Sequence, residues 1–116
     1  MKYYYQKFIL ISISLVFTTL TNAHNNKLNI NSKAVFISGN CELCKSRIEK
    51  SAFNTAGVRS ANWDINTKEL NVQFDKEKFS TKKLLKRIAR KGHDSRLIRA
   101  KFKNYNKLPY SCKYRK

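Results

Sequence analysis

Residues 61 to 74 alternate between apolar and polar on both sides of a short interruption, and no other pattern in the chain restricts its fold as tightly. Ala61, Trp63 and Ile65 alternate with Ser60, Asn62 and Asp64; Asn66-Thr67 breaks the run; Leu70, Val72 and Phe74 then alternate with Glu69, Asn71, Gln73 and Asp75. Successive side chains of a strand point to opposite faces, so this pattern predicts a β-hairpin with one buried face. A lone hairpin is marginal in water, and its apolar face needs a cover.

Two helical stripes flank the hairpin and can supply that cover. Over residues 42–56 the apolar or small positions fall at 44, 48, 52 and 56, with Lys45, Arg47, Glu49 and Lys50 off that line and Gly57 as a stop. Ser80 or Thr81 can cap a second helix, whose apolar face is Leu84, Leu85, Ile88 and Ala89 and which Gly92 ends. Residues 34–37 (AVFI), running into Ser38-Gly39-Asn40, read as a buried strand leading to a loop, and residues 93–98 as a weaker closing strand. The order strand, helix, strand, strand, helix, strand predicts an α+β fold. It is the ferredoxin-like βαββαβ sandwich, a four-stranded antiparallel sheet with two helices on one face.

The flanks read differently. Residues 1–7 carry two lysines and no acid, residues 8–20 are almost wholly apolar, and Ala23 offers a small residue after them. This is the pattern of a signal peptide over residues 1–23, so the protein is expected to be exported, periplasmic or secreted. The apolar run is shorter than the roughly 18 to 20 residues that cross a bilayer, and no permanent membrane span is expected. Residues 24–33 form a polar, Asn-rich flexible lead, and residues 99–116 a basic C-terminal tail without a clear period.

A formal net charge of +18 attracts acidic partner proteins, anionic membranes or nucleic acid. Export removes nucleic acid as the expected partner and leaves an acidic partner protein or an anionic membrane surface. A basic polyanion-binding module is an alternative, since the tail mixes Lys and Arg with Phe102, Tyr105, Tyr110 and Tyr114. There are no paired carboxylates, no Ser-His-Asp set and no phosphate-cradling glycine loop, the chain having only three glycines. An enzyme is not expected.

The cysteines narrow the function further. Cys41-Glu42-Leu43-Cys44 lies where the first strand gives way to the first helix. Residues three apart on a helix share a side, so both sulfurs can face one point beyond its start. Free amide N–H groups and the helix dipole favour thiolates there, and Lys45 places a cation next door. Two thiolates without oxygen donors select a soft ion. Copper(I) accepts two or three sulfurs and stays open to a partner's thiolate, whereas zinc takes four ligands. The same pair could serve a thiol-disulfide oxidoreductase, the other alternative. Against it, Asn40 precedes Cys41, and the only proline is Pro109 in the tail.

Over residues 34–98 the sequence resembles the heavy-metal-associated domain family, in which copper chaperones and periplasmic mercury-binding proteins are found. The resemblance rests on Cys41 and Cys44, on Gly57-Val58, on the hairpin and on Gly92. It implies a ferredoxin-like fold and Cys41 and Cys44 as metal ligands in a carrier or scavenger of copper(I), with mercury(II), silver(I) and zinc(II) as further candidates. Two positions depart from the family pattern. Gly39 replaces the usual Met two residues before the first cysteine, and His93 follows the glycine that ends the second helix, where Tyr is common. His93 is therefore a candidate additional ligand, or fills the Tyr's packing place. Cys112 lies outside the resemblance; a folded-back tail would let it complete a three-sulfur site, and otherwise it is a spare thiol or pairs between molecules.

Overall fold

A computed structural model describes residues 29–116; the predicted signal peptide and most of the lead lie outside the described residues. The predicted hairpin is present as β2 (Val58–Trp63) and β3 (Glu69–Asp75), with Trp63 opposite Leu70, Ala61 opposite Val72 and Val58 opposite Phe74. Its turn is built by Asp64, whose carboxylate accepts from the amides of Asn66 and Thr67 at 2.8 Å each, and Lys68 completes it at φ 62. Leu70, Val72 and Phe74 face inward, as the alternation requires.

Helices α1 (Glu42–Phe53) and α2 (Thr81–Arg90) cover that face. Ile48 and Ala52 of the first and Leu84, Leu85 and Ile88 of the second join Trp63, Leu70 and Val72 in one core. Ser80 caps α2, its hydroxyl accepting from the Lys83 amide at 3.4 Å. Helix α1 ends three residues before the expected Ala56, which is exposed; the Asn54 amide makes the last turn's bond to the Lys50 carbonyl.

The sheet has three strands, with β3 in the middle between β1 (Ile30–Phe36) and β2, both pairings antiparallel. The expected fourth strand over residues 93–98 is not formed. Only a single bridge, Ile37 to Ser95, and the Ser38 amide donating to the Asp94 carbonyl at 2.8 Å mark its start. Local side-chain bonds then capture the backbone: the Ser95 hydroxyl accepts from the Ile98 amide at 3.0 Å, and the Asp94 carboxylate accepts from the Ala100 amide at 2.7 Å. Such bonds offer the chain a turn in place of a ladder.

Strand β1 (Ile30–Phe36) also differs from expectation. It begins inside the supposed flexible lead and pairs along the whole of β3, from Ile30 opposite Asp75 to Phe36 opposite Glu69. Most of it is exposed, and full burial begins only at Ile37.

The tail is folded as well. A short helix α3 (Phe102–Asn106) and a 3-10 turn (Tyr110–Cys112) bury Tyr105, Leu108 and Cys112. Gly92 makes the seat: at φ 99, any Cβ there would lie 2.8 Å from the Asn104 carbonyl oxygen and 2.9 Å from Leu108. The tail end is fastened to the same loop. Arg115 binds the Asp94 carboxylate twice, at 2.7 and 3.0 Å, while the Tyr114 hydroxyl accepts from the Asp94 amide at 2.8 Å and donates to the Gly92 carbonyl at 2.7 Å.

Gly39 is explained by Trp63. A Cβ at position 39 would stand 3.0 Å from both Cη2 and Cζ2 of the indole and 3.1 Å from the Cys44 Cβ. The ring thus occupies the space that a longer side chain would need, and its Nε1 donates to the Ile37 carbonyl at 3.0 Å. Gly39→Met should therefore overpack the loop and lower stability by about 1–3 kcal/mol in urea unfolding; an unchanged midpoint would show that the indole yields freely.

Candidate metal centre

Cys41 is the residue before the first turn of α1, in extended geometry (φ −153, ψ 170) and with no side-chain cap bond. Its sulfur is thus free to turn toward Cys44 rather than toward the helix amides. The two Sγ atoms are 3.3 Å apart. Cys112 arrives from the opposite side on the 3-10 turn, whose Cys112 amide donates to the Pro109 carbonyl at 2.8 Å, and its Sγ lies 3.4 Å from that of Cys41. All three sulfurs fall within 4.8 Å of one another. Cys44 and Cys112 are fully buried, and Cys41 is partly exposed. Asn40 joins loop and tail, its Oδ1 accepting from the Cys44 thiol at 3.3 Å and its Nδ2 reaching the Lys113 carbonyl at 3.5 Å.

The three thiols are not equivalent. Burial alone would push Cys41 up, but the amides of Cys44 and Leu43 and the neighbouring thiols of Cys44 and Cys112 hold it below the ordinary thiol value. Burial, with Cys44 and Cys41 adding to its effect, pushes Cys112 up to about 12. Cys41 is accordingly the first of these two to ionise, and Cys112 then donates to its thiolate. Lys45 does not supply the adjacent cation expected of it. Its ammonium is turned to Glu49 at 2.6 Å, the Trp63 carbonyl at 2.6 Å and Asn62 at 2.8 Å.

His93 is not part of the sulfur cluster. It is fully buried, with Nδ1 2.9 Å from the Ser38 carbonyl. A carbonyl only accepts, so Nδ1 carries the hydrogen. Burial holds the imidazole below its usual range, favouring the neutral ring. Nε2 has no hydrogen-bond partner among the described residues, and the ring stacks on Tyr114 at 5.8 Å. The bond to Ser38 ties the loop after α2 to the loop that leads into Cys41.

Sequence reasoning named all three cysteines, but it missed Asp94, Tyr114 and Arg115, which fix the position of Cys112. A signal was present: Tyr105, Leu108 and Cys112 are spaced three and four apart, a helical stripe within an otherwise basic segment. Chemically, three sulfurs within reach of one point, with no carboxylate among them, suit a soft thiophilic ion.

The profile of the heavy-metal-associated domain matches residues 34–94. The structure is similar to the CopZ metallochaperone, 27% identical over 56% of this chain and 98% of that one, with a TM-score of 0.54. It is also similar to a copper form of CopA from Bacillus subtilis, 29% identical over 59% of this chain and 91% of that one, with a TM-score of 0.52. The water-soluble region of the P-type ATPase CopA from Bacillus subtilis is 30% identical over 57% of this chain and 44% of that one, with a TM-score of 0.52. Comparison with curated proteins gives no match. Cys112 lies beyond the profile match.

The unequal thiols can be read directly. In reduced, metal-free protein, iodoacetamide should modify Cys41 faster than Cys112 by about tenfold or more, since the thiolate is the nucleophile and only Cys41 is partly exposed. Peptide mass spectrometry over a time course measures the two rates, and prior modification of Cys112 would contradict the assignment.

Proposed function

The chain belongs to the heavy-metal-associated domain family, and we propose that it carries one soft metal ion, copper(I) foremost, between the thiolates of Cys41 and Cys44 and passes it on by ligand exchange. The observation that carries this reading is the sulfur pair, 3.3 Å apart at the amino end of α1, within a domain of this family. The amides at that end favour negative charge, so the pair is suited to hold a cation as thiolates. Three neighbouring sulfurs, with no fourth donor among the described residues, suit copper(I), silver(I) or mercury(II) better than zinc, which takes four ligands. The similarity to a metallochaperone and to CopA supports copper as the cargo.

Delivery further requires a partner. The groove between α1 and α2 is lined by Arg47, Lys50, Arg87 and Lys91, a positive surface suited to an acidic domain of a metal transporter or acceptor. We place the protein outside the cytoplasm on the signal-peptide pattern of residues 1–23. In an oxidising compartment the pair stays open only while a metal or a reductant protects it. Among the described residues, no helix is long and apolar enough to cross a membrane.

Anaerobic titration of the reduced protein with copper(I) against a competing chelator tests the carrier reading. One equivalent should bind without catalysed disulfide exchange, and Cys41→Ser/Cys44→Ser should abolish tight uptake; equal uptake by the double variant would refute the proposal. His93 is assigned a supporting role. His93→Phe should leave the number of sulfur neighbours unchanged while costing roughly 1–3 kcal/mol of stability, because the Ser38 carbonyl loses its donor. X-ray absorption and thermal unfolding measure the two effects, and loss of a nitrogen neighbour on substitution would make the imidazole a ligand.

A further inference from the structure

We propose that Cys112, giving up its thiol proton to solvent as the metal–sulfur bond forms, supplies a third thiolate to the same ion, so that the C-terminal segment of the chain carries a built-in ligand that closes a three-sulfur centre. The inference rests on Cys41 and Cys44 holding the ion, and adds to it a coordination number and a control on release.

Position is the first argument. A buried cysteine is commonly a small apolar filler and can sit anywhere in a core. Cys112 instead places its sulfur 3.4 Å from that of Cys41, and all three sulfurs lie within 4.8 Å of one another. Spacing is the second. With metal–sulfur bonds of about 2.3 Å, a linear two-coordinate ion needs its sulfurs about 4.6 Å apart, whereas a planar three-coordinate ion needs about 4.0 Å. The Cys41 sulfur stands 3.3 Å from that of Cys44 and 3.4 Å from that of Cys112, so a trigonal ion asks for the smaller opening at both pairs.

The tail is held where it is by bonds unrelated to sulfur. Asp94 grips Arg115, Tyr114 bridges the Asp94 amide and the Gly92 carbonyl, and the Arg115 amide donates to the Tyr105 hydroxyl at 2.9 Å. Arg115 also lies over the Tyr105 ring, 4.2 Å from its centroid. This framework presents Cys112 before any metal arrives, which removes most of the ordering cost of recruiting a third donor. An ion so enclosed leaves only when a partner's thiolate displaces one sulfur, or when the tail lifts.

The full reduced chain, loaded anaerobically with one equivalent of copper(I), provides the test by X-ray absorption and chelator competition. Three sulfur neighbours are expected in the wild type and two in Cys112→Ser, with affinity lower by about a hundredfold, as for a donor tethered at the site. Arg115→Ala, which keeps every thiol but frees the tail, should lower affinity in the same direction, and it decides the matter should Cys112→Ser fail to fold. Two sulfurs in the wild type, with affinity indifferent to Cys112→Ser and Arg115→Ala, would overturn the third ligand and leave the pair intact. Failure of the folded wild type to bind copper(I) at all would overturn the pair, and the third ligand with it.

Discussion

Asp94 stands where the last strand was expected to run, and its carboxylate settles the course of everything after it. One oxygen accepts from the Ala100 amide and from Arg115, the other from Arg115 alone, while the Asp94 amide and carbonyl are bound to Tyr114 and Ser38. Burial would push this carboxyl up, but Arg115 and the Ala100 amide outweigh it and hold the group below the usual carboxylate range. Both partners are largely shielded from water, so the pair is stronger than a typical surface ion pair. A single residue thereby exchanges a fourth strand for a returning tail, and the tail brings a third sulfur to the loop of Cys41 and Cys44.

The parts of the molecule that were legible in the sequence are those whose signal is local. The alternation of Trp63, Leu70, Val72 and Phe74 and the stripes of Ile48 and Ala52, and of Leu84, Leu85 and Ile88, all report a face buried against a neighbour. The parts that were not legible depend on distant partners. Strand β1 extends through exposed residues because β3 offers seven residues of free edge, not because residues 30–33 favour a strand. The closing strand was lost to side-chain bonds from Ser95 and Asp94, whose geometry no periodicity records.

The candidate site shows the same division. Cys41 and Cys44 could be placed from spacing and from the strand-to-helix junction alone. Lys45 could not, because its ammonium is drawn to Glu49, Asn62 and the Trp63 carbonyl, three acceptors that only the folded chain brings together. Acidity at Cys41 comes from amides and neighbouring thiols, so it belongs to the backbone of the helix start and not to a nearby lysine.

Trp63 is the only tryptophan in the chain, fully buried, with its ring beside Gly39, where an added Cβ would meet both the indole and the Cys44 Cβ. The fold has thus placed its sole strong chromophore within touching distance of the loop that carries two of the sulfurs. A heavy ion settling there, or a shift of a few tenths of an ångström in that loop, falls within the range over which indole emission is quenched or displaced in colour. The molecule therefore holds its own optical probe, and the filling and emptying of the loop can be followed in the unlabelled protein.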